Sequence, residues 1–264
     1  MKVGICSIIW KDRMDIFDVV KTAARVGAEG IEIWGQPPHI PDPENLDHVS
    51  RIREAMQAEG IAAPQYGSYT CAGKEQFATD IGHTLAITAR LGAPAFRMWA
   101  GPGDSQLLTA DQWAATVADL QQACAMAADA GLLVTLERHG GTATNTIWGS
   151  RRVIEEVDSP ALYVNYQVYD PSPDTIAEEI RILGPHILNC HATNAKHAGG
   201  ARVMTRLADG DTDWAALIRH LQAAGNDGFV EIEFVRRGTE EISFEETESE
   251  LAADVAFLKQ CMGT

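Results

Sequence analysis

A chain of 264 residues, 45% hydrophobic and 22% charged, has the make-up of a globular domain and the length of a single hydrophobic core, near the ~250 residues of a (β/α)8 barrel. A formal net charge of −16, with no stretch that concentrates Lys and Arg, would repel a polyanion and excludes nucleic acid as the expected partner. The apolar runs are too short to span a bilayer, the opening MKVGICSIIWKD lacks the features of an export signal, and Cys6, Cys71, Cys124, Cys190 and Cys261 form no CxxC pair, so a cytoplasmic chain with reduced thiols and no membrane association is expected.

Along the chain, short β-branched runs alternate with longer stretches of helical period, the signature of βα units. The first strand is predicted at residues 3–7 and the first helix at 15–26. A second strand follows at 30–33, a third at 62–66, a helix at 76–90 and a fourth strand at 95–99. A helix at 110–130 leads to a fifth strand at 132–136, then come strands at 161–165 and 187–190, a helix at 213–224, an eighth strand at 229–232 and a last helix at 244–260. Gly27, Gly60, Gly92, Gly131 and Gly225 sit where helices should stop, since glycine takes the left-handed conformation that closes a helix. The acidic run 240–250 suits the positive end of the last helix. Eight units in series, with no phosphate-binding glycine turn after the first strand, predict an α/β fold with one (β/α)8 TIM barrel over residues 1–264 and an active site at the C-terminal ends of its strands.

Side chains alternate across a strand, so residues of one parity fill the barrel and those of the other meet the helices. In the last four strands, Val134 and Leu136 oppose Thr135 and Glu137, Val164 and Tyr166 oppose Asn165 and Gln167, Leu188 and Cys190 oppose Asn189 and His191, and Val230 and Ile232 oppose Glu231 and Glu233. Four successive strands thus aim polar groups inward. Each buried carboxylate costs on the order of 2 kcal/mol or more unless paired or metal-bound, so a site is the economical explanation. The last polar residue of each strand gives Glu137, Gln167, His191 and Glu233, an oxygen and imidazole donor set suited to Mn²⁺, Mg²⁺, Co²⁺ or Zn²⁺. Such a metal would polarise a carbonyl and acidify the adjacent C–H, while one of Glu137 and Glu233 removes the proton and the other returns it. Glu231, one layer lower, is expected to pair with an inward cation such as Arg97.

The chain resembles the xylose-isomerase-like barrels, a family of sugar isomerases and epimerases, inosose-processing enzymes, dehydroshikimate dehydratases and metal-dependent AP endonucleases. The likeness is carried by Gly27-Ala-Glu-Gly-Ile-Glu32, Leu91-Gly-Ala, Thr135-Leu-Glu137-Arg-His139, His191, Gly210-Asp-Thr-Asp-Trp214 and Ala224-Gly-Asn-Asp-Gly-Phe-Val-Glu-Ile-Glu233. It implies metal ligation by Glu137, His191 and Glu233, with the two glutamates as the acid/base pair. The sequence departs from the family where a metal-binding aspartate is usual: Gln167 stands there, followed by Asp170 in place of a histidine, so the site carries one negative charge fewer. Substrate contacts are expected from Glu32, Trp34, Arg97, His139 and Arg236. Arg97 has the alternative of an internal salt bridge to Glu231 or Glu32, and Trp34 and Trp99 are expected to form a wall for a sugar ring, the alternative being large core side chains.

The implied function is a metal-dependent sugar or cyclitol isomerase or epimerase working through a metal-bound enediolate. The alternatives are a lyase or dehydratase that expels a β-oxygen from the same enolate, and a barrel that only binds sugar. An endonuclease would need more His and Asp ligands and a basic groove, which this acidic chain lacks. The resemblance also implies a homodimer or homotetramer, with the loop 194–206 reaching a neighbour.

Overall fold

The computed structural model describes residues 1–11, 13–198, 201–235 and 242–263. Eight parallel strands close on themselves. They are β1 (Lys2–Cys6), β2 (Gly30–Trp34), β3 (Tyr66–Cys71), β4 (Ala95–Trp99), β5 (Leu133–Glu137), β6 (Leu162–Tyr166), β7 (Ile187–Ala192) and β10 (Phe229–Ile232), with β1 hydrogen-bonded to both β2 and β10. Helices α1 (Ile16–Val26), α2 (Leu46–Ala58), α3 (Phe77–Leu91), α4 (Ala110–Asp129), α5 (Ile147–Val157), α6 (Pro173–Leu183), α7 (Trp214–Ala223) and α8 (Phe244–Met262) surround them. The expected barrel is the fold observed.

Local chemistry sets the helix limits. Asp15 accepts from the Phe17 and Asp18 amides at the start of α1, and Thr109 and Ser243 form capping boxes with Gln112 and Glu246. All five glycines predicted as stops have positive φ, including Gly27 at 81° and Gly225 at 85°. The outward faces of the strands, among them Ile31, Ile33, Phe96, Met98, Val134, Leu136, Val230 and Ile232, are buried with the inner faces of the helices in one hydrophobic core.

Two expectations fail. The third strand does not lie at residues 62–66: Ala62 makes only an isolated bridge to Gly30, and regular pairing starts at Tyr66 opposite Ile33. Pro64, which has no N–H for a ladder, separates the two. Residues 194–206, read as an irregular loop, form an antiparallel hairpin of β8 (Asn194–Ala198) and β9 (Ala201–Thr205) that stands apart from the barrel sheet.

Candidate active site

Strand alternation delivers the inward residues as expected. Thr135 on β5 donates to Gln65 Oε1 inside the barrel (2.7 Å), and Glu137, His191 and Glu233 place one ligand atom each within 4.8 Å of one another. His191 Nδ1 lies 3.7 Å from Glu137 Oε1 and 3.7 Å from Glu233 Oε2. The Gln167 amide stands 2.8 Å from Glu137 Oε1 and 3.0 Å from His191 Nδ1, so all four expected donors share one ring. At the far side of the imidazole, Nε2 contacts Glu32 Oε2 at 2.8 Å. A carboxylate behind a histidine fixes the ring's orientation and leaves the other nitrogen to face a metal.

The charges around the ring favour a cation. Burial lowers the His191 pKa, but the carboxylates of Glu32, Glu233 and Glu137 outweigh it and push the imidazole up to about 10. The donor set therefore holds a positive charge, and a divalent ion meets the same demand. These residues fit a hard or borderline metal, with Gln167 able to offer only a neutral carbonyl oxygen. A second group, Cys6, Glu32 and His191, is equally close, but its glutamate and histidine are spent on each other and burial pushes the Cys6 thiol far up, so it stays protonated.

Beneath the ring lies a buried polar layer. Arg97 donates from Nε to Glu32 Oε1 at 2.8 Å and from Nη1 to Glu137 Oε2, which also accepts from Trp99 Nε1 at 2.8 Å. The structure thus places Arg97 and Glu32 under the donors, joined to each other. Burial raises the Glu32 pKa, yet Arg97 and His191 bring it down to about 2. Glu231 does not pair with Arg97. It accepts from Gln65 Nε2 at 2.9 Å, the same amide nitrogen that donates to Glu32 at 2.7 Å, and burial followed by the charge of Glu32 raises it well above the carboxylate range. The pair is one ionised and one neutral carboxyl, because two buried carboxylates sharing an amide cannot both stay charged.

Above the ring, the β2 to β5 side of the mouth is aromatic. Trp34 donates from Nε1 to Tyr69 Oη at 2.7 Å, Tyr69 packs on Trp99 with centroids 5.5 Å apart, and Trp99 stacks on His139 at 5.2 Å and 13°. Trp34, Trp99 and His139 are therefore brought together, whereas Arg236 falls outside the described residues. Sequence reading missed Gln65 and Tyr69. Both lie on the inward parity of the segment around β3: Gln65 fell within the strand expected at 62–66 without being read as facing inward, and Tyr69 fell beyond its end.

A family model described as xylose isomerase-like TIM barrel matches residues 20–261. The 3-dehydroshikimate dehydratase of Bacillus anthracis is 24% identical over 206 residues, covering 75% of this chain and 73% of that protein. Among solved structures, the IolI protein with a bound zinc atom superposes with a TM-score of 0.81 at 14% identity over 100% of both chains. A D-psicose 3-epimerase, solved in the presence of D-fructose, gives 0.76 at 19% identity, also over 100% of both.

Proposed function

Because the chain belongs to the xylose isomerase-like TIM barrel family, we propose that it is a metal-dependent isomerase or epimerase of a small sugar or cyclitol ketone, with Glu137 and Glu233 as its acid/base pair. The observation that carries this reading is the convergence of two carboxylates on one imidazole nitrogen, each 3.7 Å from His191 Nδ1, one from β5 and one from just past β10, on opposite sides of β7 in the barrel.

Glu137, Gln167, His191 and Glu233 would hold the metal, which when bound polarises a carbonyl and acidifies the neighbouring C–H. Glu233 accepts the proton: among the described residues its ion-pair partner is His191, at 3.7 Å, and it is the more exposed of the two glutamates. The C–H bonding electrons stay on the substrate as an enediolate. Glu137, whose Oε2 is tied to Trp99 and Arg97, turns Oε1 towards the site and relays a proton from water to the substrate carbon, while Glu233 releases to water the one it took. Return to the same carbon from the opposite face gives an epimer, and return to the former carbonyl carbon, with the hydroxyl proton passing from the neighbouring oxygen to the former carbonyl oxygen, gives an isomer. The aromatic wall takes the C–H face of the ring, and the Tyr69 hydroxyl, which accepts from Trp34, keeps its own proton to donate to a substrate oxygen.

The second reading is a dehydratase, favoured by the relative that bears that name. It uses the same proton abstraction and differs only in that the enediolate expels a β-hydroxyl, with a proton delivered to the leaving oxygen. The free cysteines suit a reducing cytoplasm, and among the described residues no helix is long and apolar enough to cross a membrane. A homodimer contact is best placed on the β8–β9 hairpin, whose two strands, among the described residues, pair only with each other.

The test is incubation of the Mn²⁺-loaded chain in D₂O with D-psicose, D-fructose, a 3-keto-D-glucoside and 3-dehydroshikimate, followed by NMR. Deuterium appearing at a carbon beside the carbonyl, abolished by EDTA and restored by Mn²⁺, is expected. Conversion of 3-dehydroshikimate alone would select the dehydratase, and metal-independent turnover would sink both readings.

A further inference from the structure

Arg138 directly follows Glu137 and, by strand alternation, leaves the barrel on its helix side. There it is buried and forks onto Glu179 of α6, with Nη1 to Oε2 at 2.6 Å and Nη2 to Oε1 at 2.6 Å. The same Nη1 reaches the main-chain carbonyl of Gln167 at 3.1 Å. The guanidinium lies 5.6 Å from the Tyr166 ring centroid and 5.2 Å from that of Tyr169, and Tyr166 Oη donates to Glu179 Oε2 at 2.6 Å.

The regular ladder between β5 and β6 ends at the pair Glu137 and Asn165. Beyond it, three bonds stitch the strand ends together: the Arg138 amide to the Asn165 carbonyl at 3.2 Å, Arg138 Nη1 to the Gln167 carbonyl, and Tyr169 Oη to the Arg138 carbonyl at 3.1 Å. These three involve Arg138, and the Gly140 amide, donating to Tyr169 Oη at 3.0 Å, adds a fourth that does not. These few residues carry Glu137 and Gln167, whose side chains meet at 2.8 Å in the donor ring. A buried ion pair seldom gains stability over an apolar pair of the same volume, and here the Arg138 Nε is also buried without a partner among the described residues. What the fork does supply is a fixed geometry, since a planar guanidinium on a carboxylate admits one arrangement.

We infer that Arg138, through its ion pair with Glu179, is a positioning residue that fixes Gln167 against Glu137 and so sets the spacing of the metal donors. The inference rests on the metal site proposed above. Neither side chain touches a donor atom, so the effect passes through the Gln167 main-chain carbonyl that Arg138 holds and the backbone of two adjacent strand ends.

The experiment is calorimetric titration of Mn²⁺ alone into the EDTA-stripped chain, about 15 °C below the melting temperature, for the wild type, Arg138→Lys and the double variant Arg138→Met/Glu179→Leu. The double variant removes both charges together and leaves none buried unpaired; Arg138→Lys keeps the charge and loses the fork. The expected result is a Kd for Mn²⁺ at least tenfold weaker in the double variant, with the melting temperature little changed, and an intermediate loss in Arg138→Lys. A Kd within twofold of wild type in a folded variant overturns the inference. If the double variant does not fold, Arg138→Lys decides by the same criterion. If the wild type takes up no Mn²⁺, the metal reading itself fails, and a crystal structure of the variant decides the positioning: retention of the Gln167 to Glu137 contact overturns it, and loss of that contact upholds it.

Discussion

His191 Nε2 and Glu32 Oε2 meet at 2.8 Å across 159 positions of sequence, and both side chains are buried. The contact sets which imidazole nitrogen looks into the donor ring. Glu32→Gln should therefore weaken Mn²⁺ binding by about 10- to 100-fold, the usual effect of removing a carboxylate behind a metal-binding histidine. Calorimetric titration checks it, and unchanged affinity would remove Glu32 from the metal site.

Glu233→Gln should lower C–H to deuterium exchange by about 10²- to 10⁴-fold, the range lost with a general acid or base. Its carboxylate makes no hydrogen bond among the described residues, so the thermal melt of the variant should stay near that of wild type. Glu137→Gln differs: Arg97 would lose one of its two carboxylates, and a fall in melting temperature should accompany the fall in exchange.

Asp254 gives a pH signature away from the site. Burial pushes its carboxyl up from 3.8 to about 6, against the opposing Leu207 amide and Arg206, and its Oδ2 has no partner among the described residues. A folded-state pKa above the unfolded one means that the folded chain holds the extra proton between pH 3.8 and 6. The contribution to stability is fully present below 3.8 and is lost as the pH rises through 6. Asp254→Asn cannot titrate, so the melting temperature of the variant minus that of wild type should be larger at pH 7 than at pH 5, by the equivalent of about 1–2 kcal/mol. Paired melts at the two pH values read the difference, and a constant offset would contradict it.

Gly67 adjoins the buried layer so closely that a Cβ there would run into Glu32 Oε1 and approach Arg97 Nη2 at 3.1 Å. Gly67→Ala should destabilise by about 1–3 kcal/mol, as overpacking does, and should also weaken Mn²⁺ binding through Glu32 and His191. A chemical denaturation curve and a metal titration test the two halves separately.

The period of two in the last four barrel strands made Glu137, Gln167, His191 and Glu233 legible before any coordinates, because alternation is a property of each strand alone. Glycine stops were legible for the same reason, positive φ being a local demand. Around β3 the same logic failed: Pro64 broke the ladder within an apolar run, and with the register lost, Gln65, Gly67 and Tyr69 went unread.

Pairing is different in kind. That Arg97 takes Glu32 and Glu137, that Glu231 shares Gln65 with Glu32, and that Arg138 finds Glu179 depend on distances between residues 33 to 166 positions apart. Sequence determined that this chain closes a barrel and turns a ring of oxygen and imidazole donors inward. Only the tertiary structure decided which charges neutralise one another, because a Coulomb or hydrogen-bond partner is chosen by proximity in space, and in a closed barrel each inward side chain faces several strands at once.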